Sequence, residues 1–107
     1  MGIRRLLAAL ALAQIIAGEA PGCPTEAKLA IAHVAANRQE AGLVGGWFGR
    51  RASTGEDLAV ALVWRAWPDP SRGALYAIGP GDRDKMPWLA QRTGRWDCEA
   101  TFVETWR

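Results

Sequence analysis

Lysine is nearly missing from this chain of 107 residues: only Lys28 and Lys85 stand among its 13 basic residues, so arginine carries almost all the positive charge. The guanidinium groups are scattered, with no run longer than the pairs Arg4-Arg5 and Arg50-Arg51, and the net charge is only +2. That pattern argues against a dedicated nucleic-acid binder and fits no more than weak attraction to anionic polymers. Histidine occurs once, at His33, and cysteine twice, at Cys23 and Cys98, in no metal-type spacing. No metal site and no organic cofactor are expected from so few ligands. No apolar run is long enough to span a membrane, because Leu6 to Ala13 is soon interrupted by Gln14 and Gly18. Internal repeats and low-complexity linkers are also missing, so a single domain is expected, near the lower end of size for an enzyme. Half the residues are hydrophobic and 22% are charged, which excludes a disordered, solvating chain.

What is present centres on residues 15–38, IIAGEAPGCPTEAKLAIAHVAANR. Residues 3–18 are rich in Leu and Ala, strong helix formers, and are apolar nearly all round, which predicts a buried first helix. Pro21 disfavours helical geometry at Ala20, so that helix must stop near Glu19 and leave a carboxylate at its end. Pro21-Gly22-Cys23-Pro24 makes a rigid turn. Thr25 is the expected N-cap of a second helix reaching Gln39 or Glu40, with Glu26 favourably placed in its first turn. On that helix Leu29, Ala32 and Ala36 share one face, Ala27, Ile31 and Val34 another, and a polar stripe of Glu26, His33, Asn37 and Glu40 lies between.

Four glycines then loosen the chain around Trp47-Phe48, which either form one wall of a ligand groove or anchor a loop on the core. Ser53-Thr54-Gly55-Glu56 reads as a capping box opening a third helix that Pro68 stops, with Val60, Val63, Trp64 and Trp67 at core spacing. A turn over residues 69–73 leads into a short strand over 74–78, in which Tyr76 and Leu75 point to opposite faces. Residues 79–96 read as loop with a helical turn near Trp88. Residues 101–106 alternate like a strand and are expected to pair with the earlier one as an antiparallel ribbon.

Two readings of the cysteines stand. Paired, they would tie the turn after Glu19 to the C-terminal segment, add about 4 kcal/mol through chain entropy and imply an oxidising destination. Unpaired, they are small core residues. The N-terminus is ambiguous as well. Arg4-Arg5 and the Leu/Ala run carry the basic and apolar regions of a secretory signal, and cleavage after Ala20 would remove Glu19.

Glu19-Ala20, the Gly-containing turn, the Ala/Ile/Val-rich helix and the closing Asn37-Arg38 resemble the SleB-type cell-wall hydrolase family, which includes spore-cortex-lytic enzymes and small phage-encoded relatives. The similarity resumes at Asp69-Pro70-Ser71-Arg72-Gly73-Ala74-Leu75-Tyr76 and extends weakly to Trp88; residues 41–54 and the tail after Trp88 fit poorly. The resemblance implies an α+β, mainly helical, lysozyme-like domain with a short antiparallel β-ribbon, acting on peptidoglycan glycan strands; a monomer is expected. It favours retention of the first helix, since members carry an apolar helix just before the acid. A retained helix leaves the chain without an export signal of its own, to reach the wall through a membrane pore or in a virion; cleavage would make it a secreted protein.

The implied chemistry is that of a lytic transglycosylase. Glu19 would protonate the leaving oxygen of the MurNAc-GlcNAc bond and then take the proton of the muramyl 6-hydroxyl, while Tyr76, Trp88 and Trp47 would position sugar. Asn37 matches the motif and is counted with these substrate-binding residues, while also expected to tie the second helix to the first. Independently of the resemblance, a Glu at the end of an apolar helix walled by aromatics has the desolvation that suits a general acid. Hydrolysis would need a second carboxylate. Cys23 stands where many members have another acid, which leaves Asp82, Asp84, Asp97, Glu99 and Glu104 as candidates, and the family's C-terminal His is replaced in the run from Cys98 to Phe102. Two further readings compete: a non-catalytic glycan-binding module stacking sugars on Trp47, Trp88 and Trp96, and a secreted interaction domain beginning near Pro21.

Overall fold

A computed structural model describes residues 2–43, 45 and 51–107. Three helices come first, α1 (Ile3–Glu19), α2 (Thr25–Glu40) and α3 (Gly55–Val63), the last continued by a 3-10 turn over Trp64–Ala66. Three short strands follow, β1 (Tyr76–Ile78), β2 (Arg92–Asp97) and β3 (Phe102–Trp106). The result is a helix-dominated α+β fold with one small antiparallel sheet in the order β1-β3-β2. The expected ribbon is there, with Tyr76 opposite Trp106 and Ile78 opposite Glu104. The third strand, β2, falls within the segment expected to be loop.

The core lies between the helices and one face of the sheet. Ala9, Ala13 and Ile16 of α1, Ala27 and Ile31 of α2, and Val60 and Ala61 of α3 pack with Val103 of β3, with Ala77 and Trp96 against them. Small Ala side chains on α1 and α2 let these elements approach closely, which suits packing governed by ridges and grooves. Gly94 belongs to the same fit. A Cβ there would meet the Trp96 ring at 2.6 Å and Thr105 Oγ1 at 3.0 Å, so only glycine lets that ring fold back across β2.

Several local expectations need correction. α1 is not buried all round: Ile3, Leu6, Leu7 and Leu10 face solvent, because only the Ala9-Ala13-Ile16 side meets the core. Thr25 does not cap α2; Pro24 holds that position, and the Thr25 hydroxyl donates to Glu56 Oε1 at 2.6 Å. The capping box of α3 lies one residue later than Ser53-Glu56. Thr54 Oγ1 accepts the Asp57 N–H, and Asp57 Oδ2 accepts the Thr54 N–H, at 3.2 and 2.8 Å. The apolar stripe on α3 is only partly core, since Val60 is buried while Val63 and Trp67 are exposed.

One buried ion pair ties α2 to α3. Lys28 Nζ sits 2.9 Å from Asp57 Oδ1 and 3.5 Å from Glu56 Oε2. Burial works against the ammonium, but the hydrogen bond and charge of Asp57, joined by Glu56, outweigh it and hold Lys28 above its ordinary value. The pair therefore stays charged, and its geometry orients the start of α3 against α2.

Candidate functional site

Glu19 closes α1. The Ala20 N–H still donates to the Ile16 carbonyl at 2.8 Å, after which the backbone leaves helical geometry as Pro21 requires. Behind the carboxylate, Ile15, Ile16, Ala17 and Ala20 are buried, so the acid is carried on a rigid, packed helix end rather than on a loop. Gly22 turns the chain with φ +65 and lies directly under Glu99, whose Oε2 would be 3.2 Å from a Cβ at that position.

The half-buried Glu19 lines a hollow of about 540 Å³. One wall is the turn of Pro21 and Gly22; the other is formed by Gly79, Asp82 and the loop from Glu99 to Phe102. The two walls are joined covalently. Cys23 and Cys98 form a disulfide with a Cα–Cα separation of 4.4 Å, and the Glu99 N–H donates to the Gly22 carbonyl at 3.2 Å beside it. Of the two readings of the cysteines, the paired one therefore holds. Three acids share the hollow, Glu19, Asp82 and Glu99, together with Arg51. Asp82 is partly committed to its own turn, since its Oδ2 accepts the Gly79 N–H at 3.0 Å.

The other sequence candidates lie elsewhere. Asn37 Nδ2 donates to Asp69 Oδ2 at 3.0 Å and to the Ala74 carbonyl at 3.1 Å, so it ties α2 to the turn before β1 rather than to α1. Arg38 Nη1 donates to the Leu75 carbonyl at 2.9 Å, and its guanidinium lies 5.4 Å from the centroid of the Tyr76 ring. The two sequence blocks that stood apart, Asn37-Arg38 and Asp69 to Tyr76, are thus hydrogen-bonded to each other. Tyr76 is half-buried and, like Trp88, is outside the lining of the Glu19 hollow. Trp88 is 62% exposed. Trp96 packs against the core, which leaves it unsuited to stacking on sugar, and Trp47 lies outside the described residues. His33 packs edge-on against Trp64 at 5.0 Å between ring centroids, which makes it part of the packing rather than of the Glu19 hollow.

Among the remaining acids, Glu104 is engaged on the sheet by Arg92 at 3.0 Å and Arg95 at 3.3 Å, and Asp97 pairs with Arg95 at 3.1 Å. Neither lines the hollow. In the sequence Glu99 is only one of five candidate second acids. Its adjacency to Cys98 was the available signal, because pairing with Cys23 necessarily brings residue 99 to the turn after Glu19. No group of three His, Cys, Asp or Glu among the described residues is arranged to hold a metal ion.

Asp69 organises the turn that Asn37 grips. Its Oδ1 accepts the Ser71 N–H at 2.8 Å and the Ser71 hydroxyl at 2.6 Å, and its Oδ2 accepts Asn37 and the Gly73 N–H. Burial pushes this carboxyl up, but the bonds from Ser71, Asn37 and Gly73 outweigh it and hold Asp69 below its ordinary value of 3.8. A folded-state value below the unfolded one contributes stability that is fully present above 3.8 and is lost as pH falls through the lowered value. Asp69→Ala is expected to cost about 2 kcal/mol in urea unfolding near neutral pH, after discounting for partial exposure. The gap between variant and wild type should narrow as pH falls below 3.8; a gap that is constant with pH would remove the carboxylate from this account.

No protein-family model, no curated protein and no solved structure matches this chain.

Proposed function

We propose that this protein is a lysozyme-like enzyme that cleaves peptidoglycan glycan strands at the MurNAc-GlcNAc β-1,4 bond, with Glu19 as its acid and base. The observation that carries the reading is the placement of Glu19: a carboxylate on a packed helix end, opening into a hollow whose far wall is tethered by the Cys23–Cys98 bridge. A fixed acid beside a concave surface suits proton transfer to a leaving oxygen. The helix-dominated fold with its small antiparallel sheet agrees with the expected architecture at the level of fold class.

In the transglycosylase form, the Glu19 carboxyl gives its proton to the glycosidic oxygen as the bond from that oxygen to C1 of the muramyl sugar breaks. The resulting carboxylate takes the proton of the 6-hydroxyl, whose oxygen bonds to C1 and closes the 1,6-anhydro ring. Glu19 ends reprotonated and no water is consumed. A second reading, hydrolysis by two carboxylates, is favoured by a specific feature: Asp82 and Glu99 line the same hollow as Glu19. Mass spectrometry of soluble products from purified peptidoglycan treated with the full-length protein tests both. Anhydromuramyl ends are expected; reducing muramyl ends would transfer the reaction to the hydrolytic form. Intact glycan after incubation with folded, sugar-binding protein would replace the enzyme with a binding module.

A further inference from the structure

Contiguous large apolar side chains are seldom left in water without a partner. Apart from Trp88, the exposed large apolar residues among those described form two groups: Ile3, Leu6, Leu7 and Leu10 on the first turns of α1, and Leu62, Val63 and Trp67 at the end of α3 and just beyond. The first four recur at i, i+3, i+4 and i+7, which places them on a single helix face. Ile3 is 73% and Leu7 59% exposed, whereas Ala9, Ala13 and Ile16 bury the opposite side. α1 thus has two apolar faces, and the fold uses one.

The two groups sit on neighbouring helices, since α1 and α3 pack side by side. The Arg51 N–H, shortly before α3, donates to the Gln14 carbonyl in the second half of α1 at 3.2 Å. On α1, Arg5 and Leu12 line one groove with Leu62, Trp64 and Arg65, and the exposed stripe lies on a different side of the helix. Positive charge predominates around the start of α1. Arg4, Arg5 and Arg65 belong to it, α1 has no acid before Glu19, and the acids of α3, Glu56 and Asp57, are engaged with Lys28 at the other end of that helix. Glu40 also lines the groove, with Arg38 beside it.

We propose that the start of α1 docks on an anionic phospholipid surface. The α1 stripe would enter the boundary between headgroups and acyl chains while Arg4, Arg5 and Arg65 reach lipid phosphates, their aliphatic stems lying along the apolar surface. No described helix is long and apolar enough to cross a membrane, so the attachment is peripheral. A second copy of the chain is a poorer occupant, because packing this end against itself would bring like-charged arginines together. The inference is independent of the chemistry at Glu19.

Co-sedimentation of the full-length, disulfide-intact protein with vesicles tests it. Binding to vesicles of phosphatidylglycerol and phosphatidylcholine is expected to exceed binding to pure phosphatidylcholine by at least about tenfold and to weaken with salt. Ile3→Gln/Leu7→Gln and Arg4→Gln/Arg5→Gln should each lower it by about tenfold, with melting unchanged because these side chains are exposed. Equal affinity for neutral vesicles, or indifference to both double substitutions, would overturn the proposal. So would a concentration-dependent dimer, dispersed by Ile3→Gln/Leu7→Gln, in protein that ignores vesicles.

Discussion

Glu19→Gln is expected to lower the rate of glycan cleavage by at least about a hundredfold, the lower end of what a positioned acid–base group supplies. Gln keeps the shape of the side chain and can still hydrogen-bond, but it cannot give up a proton to a leaving oxygen or recover one from a hydroxyl. Gln is isosteric with Glu19, so thermal melting and glycan affinity of the variant separate loss of chemistry from loss of fold or binding. The comparison with Asp82→Asn and Glu99→Gln separates the two mechanisms. A transglycosylase needs one acid, and both variants should then retain most of the activity. In a hydrolase, one of them should fall by a factor similar to that of Glu19→Gln, because the second carboxylate activates water or traps the sugar. Sugar release by Glu19→Gln at the wild-type rate would remove Glu19 from the chemistry altogether.

Reduction of Cys23–Cys98 is expected to have the largest effect on stability. The bridge spans 75 residues, and closing a loop of that length in the unfolded chain corresponds to about 4 kcal/mol. A domain of this size unfolds with roughly 5–15 kcal/mol, so the loss is a large share of the total. The Cys23→Ala/Cys98→Ala variant should melt lower by roughly 15–30 °C, taking about 4–8 °C per kcal/mol. Activity should fall more than the folded fraction does. Without the bridge, the loop from Glu99 to Phe102 is held to the turn after Glu19 only by contacts such as the Glu99 N–H to Gly22 carbonyl bond. Assays well below the melting point of the reduced protein separate the two effects. Full activity there would show that the bridge stabilises the fold without shaping the hollow.

The helices were legible because their signals are local. Leu and Ala in residues 3–18, the stop imposed by Pro21 and the apolar faces of α2 all act within a few residues of chain, and the elements end close to where those signals place them. Details set by competition between partners were less legible. Thr25 has the chemistry of an N-cap, yet its hydroxyl meets Glu56 from another helix, and Thr54 finds Asp57 where Glu56 also suited a capping box. β2 was hidden for a related reason. Arg92-Thr93-Gly94-Arg95-Trp96-Asp97 has little strand propensity of its own; it is held by pairing with β3, by Arg92 and Arg95 on Glu104, and by the Trp96 ring over Gly94.

The site divides in the same way. That a carboxylate would stand at the end of an apolar helix followed directly from Glu19 preceding Ala20-Pro21, since proline restricts the backbone before it whatever the rest of the chain does. The pairing of α2 with the Asp69 turn was indicated only as two separate blocks of residues. Which acids would share the hollow with Glu19 depended on contacts across most of the chain. Glu99 and Asp82 reach it through the disulfide and the turn after β1, while Glu104 and Asp97 are drawn onto the sheet by arginines. By itself the sequence determined the helices, the terminal acid and the antiparallel pairing of β1 with β3, because short-range sterics and alternation suffice for those. Tertiary structure alone decided the second wall of the hollow, the third strand and the solvent-facing stripe of α1, because each depends on which distant surfaces compete for the same side chains.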